Sequence, residues 1–141
     1  MTQGICTSFK VELFQAVHNF KASGGHTFKC ALYTASATLN PAVTAYSSSN
    51  EVAHANYTAG GFPLTNVDSS ASGTTAMQTF SANPTWNNVS FTASQALIYN
   101  SSVSNKAVAV LDFGGNQTVT NGTFTVNLPP VTATTALLRL V

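Results

Sequence analysis

Four carboxylates, Glu12, Glu51, Asp68 and Asp112, and three imidazoles, His18, His26 and His54, make up nearly all the acid–base equipment of this 141-residue chain. Hydrolysis by paired carboxylates needs two carboxyl groups roughly 5 to 10 Å apart, and these four lie on distant segments with no pattern that pairs them. The histidines share no ligand-type spacing, no Glu or Cys stands beside them in a metal pattern, and Cys6 and Cys30 form no Cys-x-x-Cys pair, so no metal-binding residues are read. His18 reads as a helix-surface residue. Serines are plentiful but none sits in a Gly-x-Ser-x-Gly elbow, and Gly24-Gly25, Gly60-Gly61 and Gly114-Gly115 open no helix that would cradle a phosphate. The triplet Asp112-Phe113-Gly114 matches the magnesium-binding signature of a protein kinase, yet the Gly-rich loop, strand lysine and catalytic loop that give it meaning are missing. Asp112 is therefore expected at a strand end, bonding nearby turn amides, with Phe113 in the core. Neither a catalytic nor a cofactor-binding residue is assigned, and no enzyme activity is expected.

Composition narrows the classes further. Charged residues are 6% of the chain, against about 25% in ordinary globular domains, while apolar residues are 44% and the formal charge is +1. Such a chain has enough apolar side chains to fold and too few cations, Lys10, Lys21, Lys29, Lys106 and Arg139, to track a nucleic-acid backbone. No apolar run reaches the about 18 residues of a membrane span. The opening Met1-Thr2-Gln3-Gly4-Ile5-Cys6 lacks the basic and apolar regions of a signal peptide, so a host-cytoplasmic origin is expected, with both cysteines reduced and buried. A near-neutral surface has weak electrostatic protection against association, which suits a member of an assembly.

The elements that would position these residues follow from periodicity. Phe9, Leu13, Ala16, Val17 and Phe20 fall on one stripe, which predicts a single amphipathic helix over about 7–21, capped at Thr7 or Ser8 and stopped at Ser23-Gly24-Gly25. Beyond Gly25 the period drops to two. Phe28, Cys30 and Leu32 alternate with Thr27, Lys29, Ala31 and Tyr33, and eight strands are predicted at about 27–33, 62–67, 74–80, 86–92, 95–100, 106–112, 123–128 and 136–140. Turn signals at intervals of roughly 8 to 14 residues favour an antiparallel, jelly-roll-like sandwich, mainly β, forming one domain over 1–141 with the sandwich at about 26–141.

A long loop at about 35–61 carries Pro41, the run Ser47-Ser48-Ser49 and Gly60-Gly61. Loops of this length in small domains tend to be functional, and Tyr46, Val52, Tyr57 and, just beyond, Phe62 are its candidate contact residues. The same aromatics with Trp86 admit an alternative, a lectin-like jelly roll on a phage tail or fibre that stacks rings on a sugar. In the segment Asn83–Ser90, alternation places Trp86 on the face of Asn88 and Ser90, where a single large aromatic more often caps a sheet edge.

Four stretches, "CTSFKVELFQAVHNF", "TFKCALYTASATL", "TAYSSSNEVAHANYTAGGFPLTNV" and "ALIYNSSVSNKAVAVLDFGG", resemble the jelly-roll cementing or decoration proteins of tailed-bacteriophage heads. The resemblance implies a non-enzymatic virion protein that docks on the outer surface of an assembled capsid and bridges neighbouring major capsid protein subunits, without cofactor. Self-association is expected as well, a homodimer first and a homotrimer second, and it and the capsid contact are expected to run through exposed strand edges, the Tyr46 to Phe62 loop and the terminal segments.

Overall fold

The computed structural model describes residues 3–141, so the first two residues of the opening segment lie outside the described residues. The strand β1 (Gly4–Ile5) is followed by one helix, α1 (Thr7–Phe14). Six strands follow: β2 (Phe28–Tyr33), β3 (Phe62–Pro63), β4 (Ser70–Ser72), β5 (Thr75–Gln78), β6 (Thr85–Asn100) and β7 (Lys106–Thr125), and β8 (Leu138–Leu140) closes the chain. They form a five-stranded antiparallel sheet in the order β1-β7-β6-β2-β3 and a three-stranded antiparallel sheet in the order β4-β5-β8. The expected class, a mainly β antiparallel sandwich with one N-terminal helix, is the one observed.

Its partition differs from the periodic reading. The four segments expected at 86–92, 95–100, 106–112 and 123–128 are two long strands, β6 and β7, of 16 and 20 residues. Bulges take up the phase changes that look like breaks in the sequence. One lies between Trp86 and Val89, where Asn88 adopts φ of 53° and turns the strand so that Trp86 and Val89, not Trp86, Asn88 and Ser90, face inward. Another lies between Ala93 and Gln95, opposite Asp112 to Gln117. Asp112 is consequently not at a strand end. It sits inside β7 at this bulge, where its Oδ1 accepts the Gly114 amide at 2.9 Å, while Phe113 is half-buried against Phe124.

The helix also ends early. Val17 and Ala16 amides donate to the carbonyls of Glu12 and Leu13 at 3.1 and 3.2 Å, the paired bonds of a Schellman stop, with Ala16 at φ of 55° in the left-handed region. The chain then doubles back, so Phe20 reaches the core from a loop and stacks on Phe28 at 4.3 Å between ring centroids. Periodicity could not show this stop, because the position that needs a left-handed residue holds alanine instead of the usual glycine.

The core is continuous around Phe28, Leu32, Leu97, Ile98, Val108 and Val110, with Phe80 and Leu138 brought to it from the smaller sheet side. Strand β2 is buried on both faces, including Ala31 and Tyr33, because the long loop covers the face of Lys29, Ala31 and Tyr33.

An L-residue at a left-handed C′ position costs about 1 kcal/mol relative to glycine. Ala16→Gly is therefore expected to raise unfolding stability by roughly that amount, about 1 kcal/mol, read from the urea midpoint; an unchanged or lowered midpoint would contradict the Schellman assignment.

Candidate functional site

The loop expected as a contact element is clamped to the protein's own sheet. Glu51 accepts hydrogen bonds from the Tyr46 hydroxyl at 2.6 Å, the Tyr57 hydroxyl at 2.7 Å and the Gly60 amide at 2.8 Å. Tyr57 uses the same oxygen to accept the Leu32 amide at 2.9 Å, and the Leu32 carbonyl accepts the Val52 amide at 2.9 Å. These bonds occupy the edge of β2 where β3 has already ended, so a free strand edge that would invite another chain is closed by side chain and loop. Gly61 fits because it lacks a side chain: a Cβ there would come within 2.0 Å of the Cys30 carbonyl oxygen, and its φ is +86°.

Val52 and Tyr57 are buried in the core and Tyr46 is half-buried, stacked on Tyr99 at 4.7 Å. Phe62 is half-buried edge-on to Trp86. The four candidate contact residues are thus corrected in one respect: Val52 and Tyr57 face inward and the folded surface does not offer them. The outward loop positions are small or polar, such as Ser47, Ser48, Ser49 and Asn56. Trp86 is 6% exposed, with Tyr57, Phe62 and Phe124 around it, so its ring presents no bare face on which a sugar would stack.

A second polar cluster joins α1 to the turn between β6 and β7. Glu12 Oε2 meets His18 Nε2 at 2.6 Å and Glu12 Oε1 accepts Lys106 Nζ at 2.9 Å. The Asn100 amide nitrogen lies 3.0 Å from His18 Nδ1 and 2.9 Å from His26 Nδ1, while its oxygen accepts the Ser102 amide at 3.0 Å. Both amide hydrogens of Asn100 are spent on the two imidazoles, which makes His18 an acceptor at Nδ1 and a donor at Nε2 toward Glu12. Burial pushes the Glu12 carboxyl up, but the hydrogen bonds from His18 and Lys106 outweigh it and hold the group below its ordinary value. His18 is therefore not a helix-surface residue: the early helix stop swings it under Phe9, and its side chain is fully enclosed. Nothing in its spacing from Glu12, six residues apart and across a helix stop, signals this contact.

Chemically, both clusters act as fasteners. The cysteines are free and buried, and burial raises their thiols, Cys6 to about 11 and Cys30 to about 12, far from the range of a reactive thiolate. Among the described residues, no three His, Cys, Asp or Glu side chains gather as a metal-ligand group, and no helix is long and apolar enough to cross a membrane.

What the surface does offer lies elsewhere, on residues not named among the sequence candidates but belonging to the terminal segments expected to make contacts. Phe14, at the end of α1, is 96% exposed, and Val11 on the same helix and Leu140 on β8 are also exposed. Between α1 and the β5–β8 pair runs an apolar groove of about 200 Å³, lined by Phe9, Leu13, Phe20, Met77 and Leu138, with Lys10 and Arg139 among its polar walls. The sequence signal was present in the helix itself: "FKVELF" places Val11 and Phe14 off the stripe of Phe9 and Leu13, so the helix is apolar on more than one face.

The four tyrosines share one consequence. Burial, reinforced by the nearby Glu51 charge, raises every phenol from its ordinary value of 10, Tyr99 to about 12 and Tyr33, Tyr46 and Tyr57 further. A folded-state value above the unfolded one contributes stability that is fully present below pH 10 and is lost as pH rises beyond it. Titration followed by phenolate absorbance is expected to show no tyrosine ionising near pH 10 while the protein stays folded, and the urea midpoint is expected to fall as the pH is raised above that value. A normal phenol titrating near pH 10 in the folded protein would contradict the clamp.

Comparison of the chain with known protein families, with curated proteins and with solved structures finds no match to any of them.

Proposed function

We propose that the protein is a non-enzymatic cement or decoration subunit, docking on the outer surface of a bacteriophage capsid and bridging neighbouring major capsid protein subunits. One observation carries the reading: Glu12, His18 and Glu51 are committed to internal fastening, while a charge-poor surface leaves Phe14 almost wholly bare and an apolar groove open between α1 and the β5–β8 pair. Exposed apolar surface of this kind costs solubility and is kept where a partner covers it. The resemblance to head-decorating proteins in the four stretches named above points to the same role, and the two-sheet antiparallel fold is compatible with it. The enclosed Trp86 weighs against a tail or fibre component that stacks sugars.

A cementing subunit stabilises a shell because it binds the assembled lattice and not the free subunits, which shifts the equilibrium toward the lattice, and many copies let each contact stay weak. Copies would associate in pairs first and in threes second, which the unpaired outer edges of β4 and β8 allow where the clamped edge of β2 does not.

Imaging of purified particles at high resolution is expected to show copies repeated over the head lattice; copies confined to the tail, or none on the particle, would overturn the reading. Phe14→Ala removes an exposed side chain and is expected to change unfolding stability by less than about 0.5 kcal/mol. Loss of about 1.5 to 3 kcal/mol of buried ring per contact would lower the affinity for heads by roughly 10- to 100-fold, read by cosedimentation with heads.

A further inference from the structure

The groove between α1 and the smaller sheet differs from the rest of the surface in charge as well as polarity. Its floor is apolar, made by Leu13, Phe20, Met77 and Leu138, and two of the chain's five cations, Lys10 and Arg139, stand in its walls. Neither has a carboxylate within reach. The ion pair found among the described residues is that of Glu12 with Lys106, and the same carboxylate is hydrogen-bonded by His18. Glu51 is held by Tyr46, Tyr57 and Gly60; Asp68 accepts the Ala22 amide at 2.9 Å, and Asp112 accepts the Gly114 amide. Arg139 donates to the Ala133 carbonyl at 2.9 Å, a neutral partner that leaves its charge uncompensated.

From this complementarity we infer that the groove is a docking site for a segment of a different protein in which apolar side chains are flanked by carboxylates. The apolar side chains fill the space over Phe20 and Met77, and the carboxylates pair with Lys10 and Arg139. A second copy of this chain fits less well: a two-fold contact through the groove would set Lys10 and Arg139 against their own counterparts, a like-charge juxtaposition. The inference rests on the cementing reading in one point only, that the segment belongs to the capsid subunit on which the protein docks. Its chemistry follows from the groove alone.

Two synthetic peptides with blocked ends test it, one carrying Leu-Phe flanked on each side by two aspartates and the other carrying lysines in the aspartate positions. Each is titrated into the isotope-labelled full chain while backbone amide shifts are followed. The acidic peptide is expected to shift amides of Lys10 to Phe14, Met77 and Leu138 to Leu140 and to bind at least about tenfold more tightly than the lysine peptide. The double substitution Lys10→Glu with Arg139→Glu is expected to leave the remaining amide spectrum in place and to reverse that preference. Shifts elsewhere, equal binding of the two peptides, no binding of either, or a preference that survives the charge reversal would each overturn the inference. Head binding of the two forms separates this from the cementing reading. Wild-type protein that fails to bind heads sinks cementing whatever the peptides do, whereas heads that bind both forms equally sink the groove as the docking site and leave cementing standing.

Discussion

The Glu51 carboxylate holds the architecture of the outer half of the molecule. It gathers two phenols and one amide from a loop that has no helix or strand of its own, and through Tyr57 it reaches the Leu32 amide at the edge of the main sheet. A buried backbone donor left without a partner would cost about 1–3 kcal/mol, so the hydroxyl that satisfies it fixes where the loop must lie. With the loop in place, both faces of β2 are covered, Tyr46 is stacked on Tyr99, and Tyr57 lies against Trp86. A chain with four carboxylates thus uses one to convert a polar loop into a second wall of the core.

Glu12 plays the corresponding part at the other end of the sheet, tying α1 through Lys106 and His18 to the turn between β6 and β7. The two clusters explain how a protein with 6% charged residues keeps a single arrangement. Charge is scarce, and the carboxylates best placed for chemistry are engaged where they specify geometry. The cost of that economy is a surface with little electrostatic character, and the residues that stand out on it are apolar ones on α1 and β8 together with the cations between them.

Much of the fold was legible because the patterns that announce it are local. The alternation of Phe28, Cys30 and Leu32, the turn at Asn100 to Asn105 and the stripe of Phe9 and Leu13 each translate into the observed elements. What escaped depended on single backbone conformations and on contacts between distant segments. Asn88 in the left-handed region brings Val89 to the inward face beside Trp86, Ala16 in the same region ends the helix six residues before its apolar stripe does, and His18 meets Asn100 across 82 positions. Apolar loop residues look alike whether they turn inward or outward, so Val52 and Tyr57 could be recognised as anchors but not as anchors for the protein's own sheet. Phe14 was visible as an extra apolar position, and its exposure follows only once the helix is known to stop there.

The central claim is that α1 with β8, and not the long loop, is the face through which the protein holds its partner. Hydrogen–deuterium exchange of the protein, free and bound to purified heads, tests it most directly. The account predicts added protection in Lys10 to Phe14 and Leu138 to Leu140, with the exchange of residues 44–59 unchanged on binding. Protection confined to residues 44–59, with the helix and β8 exchanging as in the free protein, would contradict it.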